Sequence, residues 1–356
     1  MNSYDLAQWL LQNAGPCIRF RTLVEILQEQ DVCLVSQALQ EMLESPEVVD
    51  WTGRLIPQFD INSIHSGSPD AFENVIGKLV QLGLRAGLQP FDNKTLPFRV
   101  WLSENVEVYP ETPHTVFLRT IIAAFLAFAG YDSISPVMTQ MTKRLQTLYS
   151  FAKDPDFSSV FVDKSEFNEV PKGSESHSLV NPDLYQGQQF MLPWVHDIRG
   201  LSSCNNILSN QNHASRVDKI IEMILTDEYQ NLPWSYGLAK YGERYYVLGW
   251  AAHLPGYSMK PEGRSFAELL LTLEVIGKFS AARKSAWFAN SMEYLESFKT
   301  EHDTYLFPRS WLPEKQTGYW VRGLRMGYDD RKSYPKAIEC ESTFRMLKIK
   351  QIANGK

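Results

Sequence analysis

Three side chains in this sequence are placed to move a proton: His65, Glu73 and Asp197. His65 precedes a helical pattern, in the run from Ile64 to Asp70. Backbone amides at a helix N-terminus bind anions or orient a substrate; Ser68 or Asp70 can equally serve there as a plain cap. Glu73, one turn further on, reads either as an inward carboxylate or as a capping-box partner of Asp70. Asp197 lies between Pro193 and Arg199, the densest mix of ring, imidazole, carboxylate and guanidinium in the chain. If buried, its carboxyl is pushed upward by desolvation and becomes a general acid. The alternative is a cap or an ion pair with Arg199. His196 is its neighbour in sequence, and adjacent helical residues point in different directions.

A second set has the chemistry of substrate contact. Tyr245, Trp250 and His253 form an aromatic wall, and aromatic faces stabilise cations as readily as they fill cores. Trp320 and Arg322 lie in the stretch 307–331, where Arg309, Arg322, Arg325 and Arg331 recur among Trp311, Tyr319 and Trp320. Arginines beside rings hold a diphosphate or a carboxylate, or snorkel from packed aromatics into solvent. Glu339 and Glu341, two residues apart, do not share a helix face.

Helices must position these groups. Apolar residues from Phe72 to Leu82 repeat with helical spacing after Pro69 and Asp70. Thr112 and Pro113 open an apolar helix that Gly130 closes, and Ser135 and Pro136 open the next. Stripes over 216–229, 266–279, 286–298 and 337–349 read the same way. No sustained alternation bounded by turn residues is present, so a major sheet is not expected. Three polar connectors lead into aromatics and proline, at 89–101, 230–237 and 300–311. Their recurrence suggests a degenerate repeat of about 50 residues, in the size range of helical repeat units. The stretch 154–189, rich in Ser, Asp, Pro and Lys, reads as a long loop or lid with a short strand at 160–162.

The bulk numbers set outer limits. The 356 residues suit one large helical barrel or two domains. With 44% hydrophobic and 21% charged residues the chain is an ordinary folded protein. Its net charge of -6 argues against a nucleic-acid partner. The four cysteines, Cys17, Cys33, Cys204 and Cys340, form no CxxC pair, so neither a disulfide framework nor a zinc finger is expected. No cofactor and no bound metal are expected. The N-terminus lacks the features of a signal peptide, and the apolar run 116–130, interrupted by Arg119, is shorter than the ~20 residues of a membrane span. The expected setting is cytoplasmic, with no transmembrane segment.

The run from Trp9 through Pro16 to Leu23, followed by Pro46 to Trp51, resembles the opening segment of bacterial proteins with prenyltransferase and squalene-cyclase repeats. The helix pairs with aromatic loops resemble the α/α toroid of squalene–hopene cyclases and protein prenyltransferase β-subunits. The blocks 236–250 and 301–305 are similar to the Gln-Trp-type turns of those repeats. The cyclases' Asp-x-Asp-Asp motif has no counterpart here: Asp154, Asp156, Asp329 and Asp330 do not fit it. No spaced Asp, Cys and His set matches the prenyltransferase zinc site.

The resemblance implies an all-α fold, an (α/α) toroid or barrel of paired helices with aromatic-rich connecting loops. An N-terminal helical segment over 1–60 would precede a toroid over 61–356, with the lid at 154–189. The expected function is terpene-cyclase-like: Asp197 or Glu73, with His65 as a further catalytic candidate, starts acid-initiated carbocation chemistry on a small hydrophobic, isoprenoid substrate held by Tyr245, Trp250, His253, Trp320 and Arg322. Two other readings stand beside it. One is a carbohydrate-active (α/α)-barrel enzyme with paired carboxylates. The other is a non-catalytic helical-repeat binding protein.

Overall fold

A computed structural model describes residues 2–108, 112–163, 170, 172–174, 176–186 and 189–355. The chain is mostly helical, with a small four-stranded sheet. Its contacts divide it into two units: unit 1 comprises Met1–Pro97, Pro255–Lys278 and Arg283–Lys356, and unit 2 comprises Phe98–Leu254 and Phe279–Ala282.

In unit 1 the helix Ser3–Asn13 starts on a capping box, Asn2 and Asp5 each bonding the other's backbone N–H. Its buried Leu6 and Leu10 face the C-terminal helix Ala337–Ala353, and with Ala14, Ile18, Tyr328, Cys340, Phe344 and Leu347 they form one apolar cluster. Pro16 sits in the first turn of the helix Pro16–Arg21, where its missing N–H costs nothing. Pro46 does the same for Pro46–Arg54, which packs on the fully buried helix Phe72–Leu82.

That last helix starts later than the sequence suggests. Its cap position is Ala71, with no side-chain bond, because Asp70 is drawn to Arg54 at 3.1 Å. The segment expected as a connector at 89–101 is instead part of a helix, Gln89–Asn105, with Pro97 inside it. Pro90 lies in its first turn, where proline is tolerated. Further on, Phe266, Tyr294, Phe298, Phe307 and Trp311 pack at steep ring angles, mostly edge to face, with ring centres 5.0 to 6.1 Å apart. These rings join the helices Arg264–Ile276 and Ala286–Glu296 to the connector at 300–311.

Unit 2 is built on Pro113–Leu126, capped by Thr112, which packs on Ser135–Ala152 and on Val195–Ser203. Gln211–Ile224 also packs on Ser135–Ala152. Gly200 allows the close crossing: a Cβ there would meet the Ala124 backbone at 3.1 Å and the Met141 side chain at 2.5 Å. The span from Pro113 to Tyr131 is 19 residues with a mean hydropathy of 1.4, so the sequence estimate of its length was too short. It is the one helix among the described residues long and apolar enough to cross a membrane. However, 72% of that window is buried inside the protein, and Arg119 within it is fully buried, donating to the Asn105 carbonyl at 2.7 Å.

A small sheet accompanies the helices, and its first strand falls where a short strand is expected at 160–162. Its order is β1 (Phe161–Val162), β2 (Leu179–Val180), β3 (Leu238–Tyr241) and β4 (Arg244–Val247). β2 and β3 are parallel, and the outer pairs are antiparallel. Strands of two to four residues are too short to show a period of two. β3 and β4 turn through Gly242 and Glu243, with Gly242 at φ 58°, as a two-residue hairpin requires. The block 236–250 is therefore a hairpin, not a helical-repeat turn. Within the expected lid, residues 164–169, 171, 175, 187 and 188 lie outside the described residues. The rest of it carries β1, β2 and two short 3-10 turns.

Candidate functional site

Unit 1 contains a cleft of about 470 Å³. The helix Pro46–Arg54 brings Glu47, Asp50, Trp51 and Arg54 to it, and Phe72–Leu82 brings Lys78. The loops from Arg309 to Lys332 supply the remaining charged groups. Seven basic and five acidic side chains line it, so its walls are polar with an excess of positive charge.

Trp51, buried, is the hub. Arg54, Lys78 and Arg325 place their cationic heads 5.2, 5.7 and 5.3 Å from its ring centre, within the range of cation–π attraction. Lys78 is buried, and desolvation lowers its pKa against the pull of Glu314. Its ammonium donates to both Glu314 oxygens, at 3.1 and 3.0 Å, and to the Gly327 carbonyl at 2.5 Å. Arg325 spends its terminal nitrogens on the carbonyls of Lys315, Gln316 and Gly318. Arg331 grips Glu341 at 2.6 Å and also donates to the Leu312 carbonyl. Burial works against its charge, and Glu341 outweighs it, so its pKa is raised. Inside the rim of exposed Arg309, Lys315 and Lys332 lies this fixed inner set.

Asp329 is the unusual member. It is buried, and burial pushes its carboxyl up to about 6, with Glu341 and Glu47 adding to the rise. The Cys17 backbone N–H, donating at 3.0 Å, opposes the shift without cancelling it. Gly15 makes room: a Cβ there would meet the Asp329 carboxyl carbon at 2.5 Å. A carboxyl that titrates near pH 6 in a cleft is suited to give and take protons around neutrality.

The residues singled out in the sequence fall as follows. His65 and Glu73 come together in unit 1, His65 Nδ1 at 2.6 Å from Glu73 Oε1, with the carboxylate fully buried. His65 also stacks on Tyr319, ring centres 4.9 Å apart. Glu73 is thus an inward carboxylate and not a partner of Asp70. Asp197 is in unit 2. Its carboxylate takes Arg144 Nε and Nη2 at 2.8 and 2.9 Å and the Trp194 N–H at 2.9 Å, so it caps the helix Val195–Ser203 from within a fully buried ion pair. Arg199, the partner considered from the sequence, lies instead over the Phe128 ring at 4.9 Å.

Trp250 adopts φ 75° and packs on Trp234 and His196, ring centres 5.0 and 5.7 Å apart. His253 packs edge-on against Tyr229. Tyr245, on β4, is half-buried with Lys240 5.8 Å from its ring centre. Those three residues belong to unit 2. Trp320 and Arg322 belong to unit 1. Trp320 is buried, donating through Nε1 to Gln81 at 2.8 Å and through its backbone N–H to Asn74 at 2.7 Å. Arg322 pairs with Glu268 at 2.8 Å. Neither Trp320 nor Arg322 lines the cleft, whereas Arg309, Arg325 and Arg331 do.

Sequence reasoning missed Trp51, Lys78, Glu314 and Asp329 as members of this site. The available signal was the position of Asp329 inside the arginine-rich run, between Arg325 and Arg331. Comparison with family models, curated proteins and solved structures finds no match to this chain.

Proposed function

We propose that the Trp51 cleft is the active site of an acid–base enzyme acting on a hydrophilic substrate, of the carbohydrate-active kind, with Asp329 as proton donor. The observation that carries this reading is Asp329 itself: a buried carboxyl raised to about 6 at the wall of a cleft rich in hydrogen-bonding groups. Polar walls with several carboxylates suit a polyhydroxylated substrate better than an isoprenoid chain, which calls for apolar lining. The basic rim of Arg309, Lys315 and Lys332 favours a substrate that itself carries a carboxylate or phosphate. Glu47, whose pKa is also raised by burial, and Asp330 line the same cleft and are candidates for a second carboxylate.

The test is turnover of a panel of aryl glycosides, uronides and sugar phosphates. Asp329→Asn should lower turnover by about 10²–10⁴-fold and remove the limb of the pH–rate profile near 6. Activity unchanged in Asp329→Asn would sink the reading.

The terpenoid-cyclase-like (α/α) toroid is the second reading. Adjacent helices such as Pro113–Leu126 and Ser135–Ala152 are in keeping with paired-helix architecture. The rings of Phe117, Phe190, Trp194, His196 and Trp250 in unit 2 are in keeping with aromatic shielding of a cation. Turnover of a prenyl diphosphate by the wild type, with none of the polar panel, would favour it.

A further inference from the structure

A loop of unit 1 that takes no part in the Trp51 cleft stands over the helix Ala286–Glu296. Residues 255–261 form it, just before the helix Arg264–Ile276. Both of its ends are fastened to Ala286–Glu296. Trp287 Nε1 donates to the Pro255 carbonyl at 3.0 Å, and the Tyr294 hydroxyl donates to the Pro261 carbonyl at 3.1 Å. Gly256, at φ 79°, turns the chain where a side chain would be strained. A Cβ there would also meet Pro261 Cδ at 3.0 Å, so the two ends of the loop lie against each other. The crown, Ser258 to Lys260, is exposed.

Between the loop and the helix lies a cavity of about 420 Å³, within the size range of small-molecule sites. Asn290, Glu293, Tyr294 and Ser297 line it at helical spacings of three and four, so one polar helix face borders the loop. Ser258 and Lys260 line it from the loop side. Pro261 and Leu269 extend the apolar wall that the Tyr294 ring begins.

Ser291 lines the same cavity with only 6% of its surface exposed. A serine inside a helix usually bonds the carbonyl four residues back or points to solvent. Ser291 is buried, and its hydroxyl has no partner among the described residues. A buried hydroxyl without a partner is costly, and a ligand group that bonds it removes the cost. Ser258, Asn290 and Glu293 likewise make no side-chain hydrogen bond or ion pair to a described residue, and Lys260 rests 5.5 Å from the Tyr294 ring centre. The set holds one pure acceptor (Glu293), one pure donor (Lys260) and three groups that do both. Its one carboxylate and one ammonium cancel, so the cavity does not select for net charge. A matching ligand must offer several groups that each donate and accept, as the hydroxyls of a sugar do.

We propose that this cavity is a binding site for a neutral saccharide, whose hydroxyls bond Ser291, Asn290, Glu293, Ser258 and Lys260 and whose C–H face lies against Tyr294 and Leu269. The two tethers on the loop hold the frame in place before the ligand arrives, which lowers the ordering cost of binding. The site is separate from the Trp51 cleft, whose basic rim suits an anionic substrate, and it does not depend on the function proposed for that cleft.

The experiment is a saturation-transfer NMR titration of the full chain with glucose, galactose, mannose and N-acetylglucosamine in turn, with glycine as a zwitterionic competitor. At least one of these sugars should bind saturably, and glycine should not displace it. Ser291→Ala and Asn290→Ala should each weaken that sugar about fivefold, the scale of one lost neutral hydrogen bond. Asp329→Asn, in the Trp51 cleft, should leave its binding in place. Binding by none of these sugars overturns the proposal, and so does displacement by glycine, which would make the cavity a zwitterion site. Unchanged affinity in either folded alanine variant overturns it as well. Loss of binding in Asp329→Asn does the same, because it would assign the sugar to the Trp51 cleft. If Ser291→Ala does not fold, Asn290→Ala, at an exposed position, decides alone.

Discussion

Two aspartates, Asp197 and Asp329, show how differently one side chain behaves in two surroundings. Asp329 is buried with a single backbone donor close by, so desolvation wins and its carboxyl rises to about 6. Its usual value in an unfolded chain is about 3.9. Between those values the native state keeps a proton that the unfolded state has released. Stability therefore falls as pH rises from about 4 to about 6, by up to about 3 kcal/mol, and stays lower above that. Urea melts at pH 4.5 and pH 7 should show this decrement in the wild type and not in Asp329→Asn. An equal pH dependence in both would remove Asp329 as its source. Asp197 is buried more deeply, yet two guanidinium donors and a backbone N–H hold its carboxylate. Asp197→Asn leaves Arg144 buried without a counter-charge and should cost about 3–5 kcal/mol in chemical denaturation. A change under 1 kcal/mol would mean the pair is not stabilising. The sequence left Asp197 open between a buried acid and a cap or ion pair with Arg199. It had no means of seeing Arg144, 53 residues away. Asp329 escaped notice for the same reason, since its environment is made by Gly15 and Cys17, over 300 residues distant.

At the level of elements, local signals served well where they were chemical and badly where only composition spoke. Pro113 after Thr112 and the stripe of Val217, Ile220, Ile221 and Ile224 marked helices that are present. The stretch 89–101 was read as a loop because prolines and polar residues dominate it, yet tertiary packing buries Phe91 and Phe98 and holds it helical. The short strand at 160–162 was read from the sequence, but β2, β3 and β4 were missed because each is too short for its period to register. The helix Phe72–Leu82 carries a further constraint, that Gly77 lies under Trp320. A Cβ at Gly77 would lie 2.5 to 2.9 Å from three indole carbons. In an exposed helix, Gly→Ala gains about 1 kcal/mol. Here the indole is pinned by Gln81 and Asn74 and has no easy retreat. Overpacking of 1–3 kcal/mol should outweigh the propensity gain. Gly77→Ala is expected to lose about 1 kcal/mol, read from urea midpoints, with the tryptophan emission shifted. A more stable variant would show that Trp320 moves aside freely.

On the scale of the whole chain, unit 1 is assembled from the two ends of the sequence. The first 97 residues and the last 74, which begin at Arg283, belong to it together with Pro255–Lys278. No local pattern records such a union, because it rests on contacts between residues hundreds of positions apart. The helix Ala337–Ala353 is the principal tie. Cys340, Phe344 and Leu347 close the cluster that covers Leu6, Leu10 and Ile18. On the same helix Glu341 holds Arg331 at the cleft, and the Ser342 and Thr343 hydroxyls accept the backbone N–H groups of Phe307 and Tyr305. Burial of Phe344 alone is worth about 3–5 kcal/mol on truncation to alanine, against a total stability of about 5–15 kcal/mol for a typical domain. Removing the helix takes away several such side chains at once and leaves the apolar face of Ser3–Asn13 uncovered. A chain ending at residue 336 should therefore fail to fold unit 1. Limited proteolysis should cut it within residues 3–54, which the full chain protects, and its near-UV dichroism from Trp51 and Trp320 should be lost. Phe344→Ala is the graded version, expected to lower the urea midpoint without abolishing the folded state. A truncated chain with protected N-terminal helices and an unchanged midpoint would show that the first 97 residues fold without the C-terminal helix, and the clustering of Leu6, Leu10 and Phe344 would then contribute little to stability.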